Sequence, residues 1–204
     1  MVEPKEEIAR FEERFESNLN TAEREKFRKT LFYHARFAAA SVDAPGAATL
    51  LLAFFDLHSK TVQYLNIGNS TLLIIRKLEI VVKSGHSMNA WNDPMSIAKD
   101  KMPKGGLNGN FPLEHKDIVI VGTKGFFKNT SDIEILEVVN RVMMRKMQLC
   151  LTRLMDVACM AKLSELMTLE LIQTAHQNSM ENGRPEDMSI FCILMADEPR
   201  RCNS

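Results

Sequence analysis

Between residues 49 and 82 the chain alternates short apolar runs with polar breaks, at a spacing too tight for helices. The runs are 49–55, 61–67, 71–75 and 79–82, separated by Asp56-Leu-His-Ser-Lys60, Gly68-Asn69-Ser70 and a short polar step. Four β-rich runs joined by short turns predict an antiparallel meander. The runs are apolar at both alternating positions, so both sheet faces are expected to be covered, as in a sandwich of sheets with helices outside. Residues 117–122 and 188–195 read as two further strands.

Helical spacing occupies the rest. Residues 5 to about 40 place Ile8, Phe11 and Phe15, then Phe27, Leu31, Phe32 and Phe37, against alternating charge, with a break at 17–21 and Asn20 or Thr21 as second N-cap. A helix is expected from Asp132 to about Asn140, introduced by the Ser131-x-x-Glu134 capping box. The stretch 142–178 is helical throughout and too long for one globular helix, so a kink is expected near Lys162-Leu-Ser164. Residues 84–114, rich in Gly, Asn, Pro and Lys and carrying Trp91, read as a long loop with little regular structure. The strand at 117–122 runs into Gly122-Thr123-Lys124-Gly125, a turn expected to need both glycines.

Composition narrows the class. The 204 residues suffice for one domain with a sizeable core, 1–204, with 1–40 helical. Equal numbers of acidic and basic residues, 26 of each, give no electrostatic reason to expect nucleic acid or an anionic membrane as partner. No apolar run approaches the roughly 18 residues of a membrane span, and the acidic start lacks an apolar leader. An intracellular, cytoplasmic protein is the expectation, with an organelle as the alternative. Cys150, Cys159, Cys192 and Cys202 form no C-x-x-C pair, which points to reduced thiols rather than a zinc site or disulfides. The five histidines show no H-x-x-H spacing. The methionines of 143–180 read as core filler.

Three polar turns next to apolar strands, at Gly68-Asn69-Ser70, Thr123-Lys124-Gly125 and Pro185-Glu186-Asp187, are ordinary turns when taken singly. Their order is more informative. Gly46-Ala-Ala-Thr49, N-I-G-N-S-T-L-L-I-I-R at 66–76, D-I-V-I-V-G-T-K-G-F-F-K-N at 117–129 and G-R-P-E-D-M-S-I at 183–190 together resemble the protein phosphatase 2C family, in its compact, bacterial-like branch found in organelles. The resemblance is clearest over 46–195. It implies an α+β fold, an α/β/β/α sandwich of two antiparallel sheets flanked by helices, here incomplete on its N-terminal side. It also implies hydrolysis of phosphoserine and phosphothreonine with two Mg²⁺ or Mn²⁺ ions held by carboxylates, since hard divalent cations want oxygen ligands.

At the positions the resemblance assigns to those carboxylates, this chain differs. Lys124 stands for the aspartate of T-D-G, Asn69 for that of G-D-S, and Lys128 for that of x-x-D-N. The ligand of the last motif falls on Glu186, with Asp187 beside it. No Asp-Gly pair supplies the family's D-G-x-G-G turn. An ammonium about 4 Å from a divalent ion repels it by on the order of 8 kcal/mol at an effective dielectric of about 20. The expectation is a catalytically impaired domain with no catalytic residues and no cofactor, Lys124 taking the place of a cation against Glu186 or Asp187. It would act as a binding or regulatory module, its partner a phosphoprotein or an active homologue. The alternative is a residual Mg²⁺- or Mn²⁺-dependent phosphatase using Glu186, Asp187 and further carboxylates such as Asp93 or Asp132; a decayed product without a role is a third reading.

Overall fold

A computed structural model describes Tyr33, Ala35, Phe37 and residues 46–90, 93–98, 106–149, 157–182 and 187–195. Trp91, Glu186, and the expected helices of 5–40 apart from Tyr33, Ala35 and Phe37 lie outside the described residues. The chain falls into two compact units, one from residues 1–70 with 84–113, the other from 71–83 with 114–204.

The first unit is built on an antiparallel sheet of β1 (Leu50–Asp56), β2 (Thr61–Ile67) and β7 (Leu107–Pro112), in the order β1-β2-β7. A short hairpin, β5 (Met88–Ala90) and β6 (Asp93–Pro94), completes its strands. Leu65 and Ile67 form its small core with Ala35, backed by Leu50, Leu52, Met95 and Ile97. Strand β1 is less enclosed than its apolar run predicts. Most of it is only half-buried and Phe54 is exposed.

The second unit carries β3 (Thr71–Arg76), β4 (Glu79–Lys83), β8 (Ile118–Gly122) and β9 (Ile190–Leu194) in the order β4-β3-β8-β9, every neighbouring pair antiparallel. Its helices are α1 (Lys124–Asn129), α2 (Asp132–Leu149) and α3 (Val157–Asn182). Leu73, Ile75, Ile118 and Ile120 from the sheet meet Phe126 of α1, Ile135, Val138, Val139 and Val142 of α2, and Leu163, Met167 and Leu171 of α3 in one core. Repeats of three and four along α2 and α3 put those side chains on a single face of each helix. Cys192 is buried and unpaired, and burial pushes its thiol up to about 11.

The mixed α+β class agrees with the sequence, while several details do not. The four early runs are strands with nearly the expected bounds, but they do not form one meander. β1 pairs with β2 and β3 with β4, whereas the chain changes sheets at Gly68-Asn69-Ser70. The segment 84–114 is not a structureless loop, because it supplies β5, β6 and β7. Helix α2 passes Asn140 to reach Leu149, and α3 passes Lys162–Ser164 without a break. Ser164 does not kink it: its Oγ accepts the Leu194 N–H at 3.1 Å, so this helix-weakening hydroxyl serves β9 instead. Among the described residues no helix is long and apolar enough to cross a membrane.

Candidate functional site

The strand β8 ends at Gly122, and α1 begins two residues later at Lys124. Neither Gly122 nor Gly125 has a positive φ, so the expected two-glycine turn is instead a direct strand-to-helix step. Gly122 is required for packing. A Cβ there would lie 3.0 Å from the Phe127 ring, 3.1 Å from the Phe126 ring and 3.3 Å from the Ser189 carbonyl oxygen.

Thr123 occupies the N-cap position of α1, yet its hydroxyl makes no cap bond. It donates to the Asp187 carbonyl oxygen at 3.2 Å and accepts the Ser189 N–H at 3.1 Å, while the Thr123 N–H donates to the Ser189 carbonyl at 3.0 Å. Three bonds thus lock Thr123 of the G-T-K-G step to Asp187 and Ser189 of the E-D-M-S segment, 64 and 66 residues further along the chain. Lys124 is the first residue of α1 and half-buried. A cation there opposes the positive end of the helix, so it lowers rather than raises local stability. Lys128 is exposed in the last turn, where the same field favours it.

Asn129 closes α1 from behind. Its Nδ2 donates to the Gly125 carbonyl at 2.8 Å and lies 3.9 Å from the Met188 sulfur. The carboxamide of Asn178 on α3 then donates both to the Asn129 carbonyl and to Glu134, each at 2.8 Å. The capping box forms as predicted: Glu134 accepts the Ser131 N–H and hydroxyl at 2.7 Å, and Ser131 Oγ accepts the Glu134 N–H at 3.3 Å. The Ser131 N–H, its hydroxyl and Asn178 hold the Glu134 carboxyl below the usual carboxylate range. Asn129 and Asn178 escaped the sequence reading. The first stood in a motif read for its charges, and the second gave no local signal.

In the first unit, Gly68 adopts φ +120°, and a Cβ there would fall 2.4 Å from Thr49 Cγ2. Gly68 and Asn66 close on the segment 84–87. Asn66 is fully buried and its amide donates to the carbonyls of Ser70 and Gly85, while Ser87 donates its hydroxyl to the Asn66 carbonyl at 2.7 Å. The N-I-G-N-S stretch is therefore a buried clasp, with Asn69 half-buried next to it.

Of the remaining carboxylates, Asp132 and Asp117 are engaged elsewhere. Asp132 binds Lys83 through both oxygens at 2.6 and 2.9 Å, and Asp117 holds Arg76. Asp93 is exposed in β6, in the other unit, and Asp187 is exposed beside Thr123. Among the described residues no three of His, Cys, Asp and Glu come together as a metal would need. The described side chains at the β8–α1 step are the Lys124 ammonium, the Thr123 hydroxyl already engaged twice, the Asn129 carboxamide, whose buried Oδ1 accepts no bond, and the exposed Asp187 carboxylate. One carboxylate beside an ammonium is a poor match to the carboxylate-rich set that a pair of divalent cations wants. Glu186 lies outside the described residues.

No family model matches the chain. It is 32% identical over 105 residues to a rice protein, "Probable protein phosphatase 2C 71", covering 51% of this chain and 22% of that one. It is 22% identical over 176 residues to "Protein phosphatase PTC7 homolog fig" of Drosophila grimshawi, covering 78% and 57%. The chain therefore spans only about a fifth of the length of the rice relatives. Among solved structures, the photosystem II phosphatase PBCP superposes with a TM-score of 0.53 at 17% identity, over 89% of this chain and 76% of that one. The catalytic domain of the serine/threonine phosphatase PstP, solved with two manganese ions, gives 0.51 at 12% identity over 82% and 80%. These two share the fold, and the sequence relatives agree with them and with the motif order: the chain is a relative of the protein phosphatase 2C family.

Proposed function

We propose that this protein phosphatase 2C-like domain does not hydrolyse phosphoesters and acts as a binding or regulatory module, its partner a phosphoprotein or an active homologue. The observation that carries the reading is Lys124. It is the first residue of the helix entered from β8, at the position the resemblance gives to a metal-binding aspartate. Replacing a carboxylate by an ammonium there inverts the charge offered to a divalent ion, a change on the order of 8 kcal/mol or more at about 4 Å. Thr123 bonds the Asp187–Ser189 segment and Asn129 Nδ2 bonds the Gly125 carbonyl, so the step is tied together by the chain's own hydrogen bonds, with the buried Asn129 Oδ1 left without a donor.

The test is hydrolysis of p-nitrophenyl phosphate and of a phosphothreonine peptide by the full chain in millimolar Mn²⁺ or Mg²⁺. The expected rate is that of buffer, for the natural chain and for Glu186→Ala alike. Mn²⁺-dependent turnover that Glu186→Ala abolishes would overturn the proposal and establish a residual metal-dependent serine/threonine phosphatase.

A further inference from the structure

Away from the β8–α1 step, α2 and α3 enclose a solvent-open cavity of about 350 Å³ lined by Arg141, Arg145, Glu170, Gln173, Thr174 and Gln177. Arg141 and Arg145 are one turn apart on α2 and so project from one face. Both reach Glu170 on α3: Arg141 Nε donates to Oε2 at 3.0 Å and Arg145 Nη1 to Oε1 at 2.8 Å. Glu170 is the least exposed of the three, with 22% of its side chain accessible against 47% for Arg141 and 65% for Arg145.

A guanidinium carries five N–H donors. Each of these two gives one nitrogen to Glu170, so the shared carboxylate fixes two long side chains side by side and leaves most of their donors facing the cavity and solvent. Fixing them in advance removes the rotamer entropy that a ligand would otherwise have to overcome. Two guanidiniums and one carboxylate leave a surplus of one positive charge. The carboxamides of Gln173 and Gln177, both exposed, add neutral donors from the opposite wall, while the Thr174 hydroxyl is turned to the Glu170 carbonyl at 2.9 Å. Donors that converge from two helices onto one space suit a group with three acceptor oxygens better than a planar carboxylate.

The surroundings say what carries that group. Met144 shares the α2 face with Arg141, and Leu166 and Leu169 lie one turn before Glu170 and Gln173 on α3. All three are about half exposed, an apolar border that a free ion does not need and a polypeptide can cover. Glu137 and Glu181, one turn beyond Arg141 and Gln177, bound the basic stretch with negative charge and restrict it to a single anion.

We propose that the α2–α3 cavity is a binding site for a phosphate monoester on a protein segment, held by Arg141 and Arg145 with Glu170 as their positioning residue. The site uses none of the residues at the β8–α1 step, and binding there does not depend on whether the domain hydrolyses anything.

The test is fluorescence anisotropy of the full chain with a labelled peptide, one phosphoserine flanked by leucines, in EDTA so that metal-dependent hydrolysis stays silent. Its serine and glutamate versions and inorganic phosphate serve as comparators. The phosphopeptide is expected to bind roughly tenfold or more tightly than any comparator, and Arg141→Ala/Arg145→Ala to abolish the difference. Arg141→Lys/Arg145→Lys keeps the charge but loses the fork, and is expected to weaken binding roughly fivefold or more with an unchanged unfolding midpoint. Absence of binding, equal affinity for the serine peptide or for inorganic phosphate, or undiminished binding by either double variant would overturn the proposal.

Discussion

Removing the carboxylate of Asp117 is expected to be among the most damaging single changes in the second unit. Its side chain is fully buried, and Arg76 grips both oxygens, Nε to Oδ1 at 2.9 Å and Nη2 to Oδ2 at 2.8 Å. The Glu114 N–H donates to the same Oδ2 at 2.7 Å, and Glu114 adds a bond of its own to Arg76 Nη1 at 2.7 Å. Asp117→Ala thus removes three charge-assisted bonds and leaves a guanidinium whose side chain is only 19% exposed. Breaking such a pair from one side costs about 3–5 kcal/mol. Arg76 keeps some solvent access and its bond to the exposed Glu114, which places the expected loss near the lower bound, about 3 kcal/mol.

The perturbation separates net worth from one-sided loss. Replacing both partners with apolar residues, Arg76→Met/Asp117→Leu, removes the unpaired charge together with the pair and is expected to fall within about 1 kcal/mol of the natural chain. Urea denaturation followed by far-ultraviolet circular dichroism at neutral pH gives the stabilities of the natural chain and the two variants to be compared. An Asp117→Ala loss below about 1 kcal/mol, or a double variant as unstable as the single one, would refute the reasoning. The first result would mean that Arg76 is solvated well enough to stand without its carboxylate, and the second that the loss does not come from the charge left behind.

Glu134 should make stability depend on acid. Its folded pKa is depressed, chiefly by the Ser131 N–H, so its contribution is complete above the unfolded value of about 4.5 and is lost as pH falls through the lower folded value. Urea midpoints from pH 6 to pH 3 should therefore drop more for the natural chain than for Glu134→Gln, and parallel curves would exclude this role. Gly68→Ala puts a Cβ 2.4 Å from Thr49 Cγ2 and 2.9 Å from the Met95 carbonyl oxygen, at φ +120°. A loss of about 2 kcal/mol or more is expected, and a change below about 0.5 kcal/mol would contradict the clasp. Lys124→Asp turns an unfavourable charge at the start of α1 into a favourable one and should stabilise the chain by about 0.3–1 kcal/mol in EDTA. A lowered unfolding midpoint would show instead that the ammonium holds a partner the helix needs.

Much of the fold could be read because apolar runs report burial directly. β2, β3, β8 and the capping box at Ser131 and Glu134 fall where the pattern put them. What the pattern could not carry was partnership. Thr61–Ile67 and Thr71–Arg76 look like consecutive strands of one sheet, and nothing local says that the chain leaves for another sheet at Gly68. β7 was invisible for the opposite reason, since Leu107-Asn-Gly-Asn-Phe-Pro112 has the composition of a loop. It is a strand because β2 pairs with it, with the Phe111 ring stacked 5.9 Å from Tyr64 and Gly109 leaving room for that ring. At the site, order and spacing brought the Thr123 and Asp187 segments together correctly. The hydrogen bonds that join them run through a backbone carbonyl and N–H, groups that every residue has and no sequence advertises.

The β8–α1 step also shows which of its parts depend on charge. Hydrogen bonds among Thr123, Ser189, Gly125, Asn129 and Asn178 fix the start of α1 against the segment leading into β9, while the buried Asn129 Oδ1 is left without a donor. Lys124 sits at the start of that helix against the local field, where a carboxylate would be favoured even without a metal. A sequence rule broken inside an otherwise self-consistent frame is the pattern expected where function, rather than stability, chooses the residue. The charge at position 124 sets the polarity at the start of α1, opposite to the one a carboxylate would give. The proposed α2–α3 site takes its preference for anions from Arg141 and Arg145, and among the described residues no three of His, Cys, Asp and Glu come together either there or at the β8–α1 step.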